Sequence, residues 1–392
     1  MLCASAYSTS TDTALAIQQV CDSLQAQLET APALVFVFVS HDHRTEFDAI
    51  GVEIARQLSP GCLLGCSAEA VLANDTEMES EPAIAVWAAR LPGTRILPMH
   101  LQFERTPDGG SIIGWPDELT ESWPEDSVLM LLGDPFSFPT DSLLERLNED
   151  QPGIPIVGGM ASGAGAPGEN ALFLNGERFR AGAVAALLSG DITFRSIVSQ
   201  GCRPIGTTFI VTKAEQNVIH ELGGQPALLQ LKEVFDTLPT REKQLVQSGL
   251  HVGRVVSEYQ DHREQGDFLV RNVLGLDAEQ GAIVVGDYIR PGQTIQFHVR
   301  DEQTASDEWQ ELLAQTRDDS RFAPAGGLLF TCNGRGTRLF SQPHHDAGCA
   351  WQTLGQLPLA GFFAQGEIGP VGRTNFVHGF TASLVLFGEK AS

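Results

Sequence analysis

The residues best suited to chemistry gather in the last third of the chain. Cys332-Asn333-Gly334-Arg335-Gly336 follows the apolar run Gly327–Cys332 and offers a thiol, an amide and a guanidinium set between glycines. A guanidinium forks onto a carboxylate through two charge-assisted hydrogen bonds, and flanking glycines let backbone N–H groups face the same anion. Further on, Glu367 sits within Gly366-Glu-Ile-Gly-Pro370, and Asn375, His378 and Thr381 lead into the closing apolar run. A glutamate accepts from an ammonium group, so Arg335 and Glu367 together would grip both ends of a zwitterion, with His378 and Thr381 beside them. Each also has a structural alternative. Arg335 would pair with Asp346, Glu367 would bond the amides of its own Gly/Pro turn, and His378 would make a core hydrogen bond.

Other chemistries lack their spacing. Cys62 and Cys66 have no second pair to complete a zinc site. His41-Asp-His43 and His344-His-Asp346 would have to be united by folding, and no metal is expected. The glycine-rich stretch Gly158–Gly165 lacks the Lys-Ser/Thr ending of a P-loop, and no Gly-x-Ser-x-Gly elbow is present. Cys332 with a histidine would supply a nucleophile and a base. Nothing places a particular histidine beside it, so binding rather than catalysis is the expectation.

These groups need elements to position them, and the elements repeat. An apolar strand, a helix, a strand ending in glycine and a further strand occur three times in that order. The first copy runs through Ala33–Ser40, a helix over 47–58 with Ile50, Ile54 and Leu58 at helical spacing, Cys62–Ala68 and Ala83–Leu91. The second uses Val128–Leu132, a helix from Thr140-Asp141, Ile154–Ala161 and Ala181–Leu188. The third uses Gly327–Cys332, a helix over His345–Leu354, Leu357–Ala364 and Phe380–Phe387. In every copy the second strand ends in Gly-x-x-Ala, at Gly65, Gly158 and Gly361. Glycine there implies a sharp turn or a close backbone approach. The expectation is that these corners converge on a ligand cleft, with Cys66-Ser67 and Gly159-Met160 holding the positions that match Gly361 and its neighbours.

Near-continuous apolar strands separated by helices predict α/β to α+β architecture: β-α-β-β units in mixed sheets, the third strand antiparallel to the second. Residues 201–320 break the pattern, with helical stretches near 226–238 and 241–247 and alternating strands at 268–274, 282–285 and 294–299. They read as an α+β insert lobe.

Composition narrows the partners. The 392 residues carry 49 acidic and 25 basic side chains, a net charge of −24. A field of that sign repels phosphate backbones and anionic lipid heads, so neither nucleic acid nor a membrane surface is an expected partner. No apolar run approaches the roughly 18 residues of a membrane span, and no secretory leader is visible at the start. Seven scattered cysteines suit a reducing cytoplasm better than a disulfide framework.

Gly201-Cys-Arg203-Pro-Ile-Gly206 followed by Thr212, Asn217 and Glu221-Leu222, then Phe330–Gly336, Leu357–Gly361, Gly366–Pro370 and Asn375–Phe387, resemble in that order segments of FIST proteins. The resemblance spans the chain and implies an N-terminal module over 1–200 and a C-terminal one over 201–392, the latter made of the 201–320 lobe and the third unit at 321–392. It implies a cytoplasmic sensory protein that binds a small polar ligand, amino acids being the proposed class; output would be given in trans to a separate protein, or the protein would only bind. Read from residue types and strand-end positions, the candidate ligand set is Cys66, Ser67, Gly159, Met160, Arg203, Cys332, Asn333, Arg335, Gly361, Glu367, Asn375, His378 and Thr381, with Arg203 alternatively a brace at the junction. No cofactor is expected on the main reading. Some FIST proteins bind haem and report nitric oxide, which makes His378 a haem ligand in a second reading. A cysteine-dependent hydrolase or transferase using Cys332 is the third.

Overall fold

The computed structural model describes residues 1–106, 109–119, 123–256 and 268–390. It divides into two compact units, one formed by 1–198 with 309–392 and the other by 199–308.

The larger unit holds the three repeats, each on its own mixed sheet. In the first, the strand Leu34–Ser40 runs parallel to Cys62–Ala68 across the helix Phe47–Leu58 and antiparallel to Ile84–Arg90. The second repeats this with Ser127–Gly133, Ile156–Met160 and Ala183–Gly190, and the third with Pro324–Cys332, Leu359–Ala364 and Ala382–Glu389. The closing strand of each repeat therefore pairs with the first strand, correcting the expectation that it pairs with the second.

A short hairpin explains why. Each repeat carries one after its second strand: Val71–Ala73 with Thr76–Met78, Leu172–Leu174 with Glu177–Phe179, and Glu367–Val371 with Thr374–His378. None joins its own sheet. The first repeat's hairpin extends the third sheet at Leu359–Ala364, the second's extends the first at Cys62–Ala68, and the third's extends the second at Ile156–Met160. This cyclic exchange fills the free side of every second strand, so the closing strand must take the other side of the first. Ladder hydrogen bonds thus tie each repeat to the other two.

The strands are apolar along their whole length because both faces are covered. Phe36, Phe38 and Trp87 of the first sheet, Met130 and Leu132 of the second, and Phe330, Phe362 and Phe387 of the third point into one shared core. Phe38 stacks on Phe362 at 5.2 Å, and Trp87 lies 5.4 Å from Phe387. Each such aromatic stabilises by roughly 1.5–3 kcal/mol through burial. The alternate residues Val35, Val37 and Val39 face outward under Ile17, Val20, Leu24, Ile50 and Ile54 of two helices.

The smaller unit is a closed barrel. The long strand Cys202–Glu215 pairs along its first part with Thr294–Arg300 and along its last part with Val218–Leu222, so the sheet returns on itself. A register shift between Ile205 and Thr208, where Gly206 has φ 64°, bends the strand and permits both pairings. Ile205, Val211, Ile219, Val252, Ile283, Ile295, Phe297 and Val299 fill the interior. Glu308 accepts from the Ser199 hydroxyl at 2.8 Å and the Gly201 amide at 2.6 Å, clasping the two ends of the insert. The helix Glu302–Asp318 crosses the boundary between the units, because Trp309 and Leu313 belong to the core with Leu329, Phe363 and Leu384.

Candidate ligand site

The three strand-end glycines do not line a hollow. Gly65, Gly158 and Gly361 lie opposite Val37, Leu131 and Leu329 on the neighbouring parallel strand. A Cβ at any of them would overlap that residue's carbonyl oxygen. They are glycines because two strands pass too close for a side chain, and the space around them is filled. The matching positions are packed as well. Cys66 is fully buried, with its thiol pushed well above its usual range by desolvation. The Ser67 hydroxyl donates to Asn170 at 3.2 Å and accepts from the Ala171 amide at 2.9 Å. Gly159 faces Ala364 and Phe362, and the Met160 sulfur accepts from Thr140.

Arg335 takes its structural alternative. Its side chain is 0% exposed and forks onto Asp346, with Nε 2.6 Å from Oδ2 and Nη2 2.8 Å from Oδ1. Asp346 also receives the Thr331 hydroxyl at 2.6 Å and lies 2.9 Å from His345 Nδ1, while Arg335 Nη1 donates to the Phe380 carbonyl at 3.3 Å. Burial alone would raise the Asp346 carboxyl, but the adjoining guanidinium overrides it and holds the group below the usual carboxylate range. The guanidinium fork expected to receive a ligand carboxylate is therefore already engaged. The pair joins the first strand, its following loop, the helix His345–Leu354 and the start of the closing strand.

Several of the remaining predicted residues in the larger unit are linked through the strands of the second and third sheets. Glu367 stands between Gly159 and His378 across three strands of the second sheet, and its carboxylate accepts from the Thr381 amide at 3.0 Å. The Thr381 carbonyl in turn accepts from Cys332, whose thiol is 3.5 Å from the Gly334 amide. His378 is 4% exposed, with Nε2 at 2.9 Å from the Gly369 carbonyl. With Nε2 committed to that carbonyl and the side chain buried in the sheet, the ring does not present this nitrogen to a haem iron. Asn375 joins the hairpin to the second repeat through Asn148, the Ile154 carbonyl and the Ile156 amide. Arg203 belongs to the barrel, where it reaches Glu242 at 2.9 Å and Asp301 at 3.6 Å, a brace within that unit. Asn333, of the predicted set, lines a cavity.

That cavity holds about 130 Å³ and is lined by Glu69, Glu79, Ser80, Asn333, Thr337 and Arg338, with Phe363 at its apolar side. The loop 332–338 builds it. Gly336, at φ 55°, lets the chain turn, and a Cβ there would stand 2.5 Å from the Glu79 carboxylate. In its absence Glu79 reaches the Thr337 amide at 3.0 Å and hydroxyl at 2.8 Å. Arg338 donates to the Asn333 carbonyl at 2.6 Å and forms an ion pair with Glu69. Unlike Arg335, it is 57% exposed, and Glu69 is 38% exposed.

Behind the cavity, Glu77 of the first repeat's hairpin is buried and accepts from the Ala347 amide at 2.9 Å, in the first turn of the helix His345–Leu354. Desolvation, then the charge of Asp346, pushes its carboxyl up to about 8. Sequence reasoning did not single out Arg338, Glu69, Glu79 or Thr337. Arg338 stood in plain view three residues beyond Arg335, but only the fold separates the buried arginine from the open one.

The fold is three hairpin-exchanged α/β sheets with a barrel inserted before the third repeat. The chain belongs to the FIST family: residues 33–225 match the FIST N domain and 227–370 the FIST C domain. The two matches meet inside the barrel, so the family boundary and the boundary between compact units differ. It is 42% identical over 356 residues to the uncharacterized protein Rv0628c of Mycobacterium tuberculosis, with 91% of each chain covered. It is 40% identical over 357 residues to the uncharacterized protein Mb0898c of Mycobacterium bovis, again with 91% of each covered. The family is one of sensory and signalling domains. Among the described residues no helix is long and apolar enough to cross a membrane.

Proposed function

We propose that this FIST protein is a small-ligand sensor whose binding site is the cavity of the 332–338 loop, and that its ligand is a small zwitterion of the amino-acid type. The observation that carries the reading is one exchangeable arginine set between two glutamates around about 130 Å³. Arg338 would take the ligand carboxylate, and Glu69 with Glu79 would take the ammonium group. The space equals about four water molecules at ~30 Å³ each, so the ligand is small. An exposed ion pair such as Arg338–Glu69 contributes only ~0–1 kcal/mol, so a ligand can replace Glu69 on the arginine at little cost. The buried Arg335–Asp346 pair offers no such exchange. The reading is recognition rather than catalysis, because a cation flanked by carboxylates is the complement of a zwitterion. Output passes in trans to a separate signalling protein.

A thermal-shift series tests this with glycine, alanine, acetate and methylamine on the full chain. A ligand present at 100 times its dissociation constant stabilises by about 2.7 kcal/mol, enough to raise the melting temperature visibly. The zwitterions are expected to shift it, and the compounds carrying only one of the two charges are not. Equal shifts with acetate and alanine, or none with any small zwitterion, would reject the assignment.

A further inference from the structure

The first repeat carries a groove that the ligand site does not use. It lies between the start of the helix Thr13–Leu28 and the segment from the 3-10 turn His41–Glu46 into the helix Phe47–Leu58, and encloses about 620 Å³. Its floor is apolar, formed by Ala14, Ile17, Ala49 and Val52. Val52 is 54% exposed, and Leu15 in the first turn of the helix Thr13–Leu28 is 49% exposed. The rim is acidic: Asp12, Asp42, Glu46, Asp48 and Glu53. Arg178 pairs with Asp48 and Arg56 with Glu53, while among the described residues no ion pair engages Asp12, Asp42 or Glu46. The walls are fixed relative to one another by the 2.9 Å contact between Thr13 and the buried His43, whose desolvation lowers its pKa and keeps it neutral.

An apolar floor inside a carboxylate rim is the complement of one particular surface. We infer that this groove docks a basic amphipathic helix of a partner protein, its aliphatic side chains seated on Val52 and Ala49 and its lysines or arginines meeting the rim. The walls are helical and present no sheet edge, so strand addition is unavailable and the helix-in-groove mode applies. The rim charges steer the encounter and the floor supplies affinity that salt does not screen. This goes beyond the ligand reading and stands without it, since it concerns the ligand-free chain and a different face of the molecule.

The test is fluorescence anisotropy of the full chain with a labelled leucine–lysine amphipathic peptide roughly five turns long, against its leucine–glutamate counterpart. The lysine peptide is expected to bind, more weakly as salt rises, and the glutamate peptide not to bind. Asp42→Lys with Glu46→Lys should weaken binding at least about tenfold, which is ~1.4 kcal/mol. Val52→Gln should weaken it severalfold with the charge untouched. The control is Glu145→Lys with Glu149→Lys, the same change in charge on exposed positions of another helix, and it should leave affinity within about twofold. Circular dichroism checks that each variant is folded. Failure of the lysine peptide to bind, equal losses in the two double variants, or no effect of Val52→Gln would each overturn the inference.

Discussion

The strand-end glycines and the 332–338 loop are both rich in glycine, yet they do opposite work. Gly65, Gly158 and Gly361 recur at one topological place in three repeats, each opposite a carbonyl of the adjacent strand. Among the described residues, the Arg335–Asp346 pair of the third repeat's loop has no counterpart in the other two repeats. After its first strand the first repeat places Ser40 on Asp42 and the second places Ser137 on Asp134. What recurs is packing, required wherever this unit closes its sheet. What differs is where charge has been added to a finished frame, and that is where recognition chemistry should be sought.

Breaking the recurring side of the comparison should have the largest effect. Gly361→Ala drives a methyl into the Leu329 carbonyl, and the atoms it meets are all backbone, which leaves no flexible side chain to yield. Overpacking a core costs typically ~1–3 kcal/mol and more where the backbone must move, so about 3 kcal/mol or more is expected in urea denaturation. Gly158→Ala should be as severe, since its φ of 150° adds strain to the overlap. Gly372 gives the control: at φ 61° with nothing within 4 Å of a built Cβ, its alanine variant should lose only ~1 kcal/mol. Similar losses at Gly361 and Gly372 would show that strand proximity is not the reason for glycine.

Next comes the buried charge. Asp346→Ala strands the Arg335 guanidinium at 0% exposure, and removing one member of a buried pair costs ~3–5 kcal/mol. A double variant, Asp346→Ala with Arg335→Met, should recover most of that loss, because the penalty belongs to the orphaned charge rather than to the missing contact. Denaturant midpoints of the two variants decide it.

The two compact units should also respond oppositely to pH. In the barrel unit, desolvation lowers His251 and His298 to about 4, below the unfolded value near 6.5. Their folded forms bind fewer protons, so barrel stability is complete above the unfolded pKa and is lost as pH falls from about 6.5 toward 4, by at most ~3 kcal/mol for each histidine. In the larger unit, Glu77 is raised to about 8. Its folded form binds more protons than the unfolded chain, so its contribution is present at low pH and is lost as pH rises through the interval to about 8. Hydrogen exchange followed between pH 5 and 8 should show barrel amides gaining protection with pH. The Glu77→Gln variant should abolish the opposing trend around the helix His345–Leu354.

The repeats were legible because burial on both faces leaves uninterrupted apolar strands, and the helix His345–Leu354 falls where its sequence placed it. The exchange of hairpins was not legible. Strands of three residues such as Val71–Ala73 have little pattern of their own, and nothing local states which sheet edge they will join. The site was half legible for a related reason. The motif drew attention to the loop that lines the cavity, but the charge of Arg335 is answered by Asp346, eleven residues on and in the next helix. Sequence spacing gives the reach of an arginine and not what already occupies it.

The smallest change in stability should come with the clearest functional effect. Arg338 is 57% exposed, so Arg338→Ala should lower stability in denaturation by less than ~1 kcal/mol. The same variant removes the only cation among the described residues that line the cavity. The thermal shift given by the small zwitterions should therefore vanish while the unliganded melting curve stays nearly in place, and Glu79→Gln should weaken it through the ammonium end. Arg338→Lys restores the charge without the fork, so it should recover part of the response and not all of it. If Arg338→Ala instead destabilised the chain as much as Asp346→Ala while ligand response survived, the two arginines would have exchanged roles, and recognition would have to be sought away from this loop.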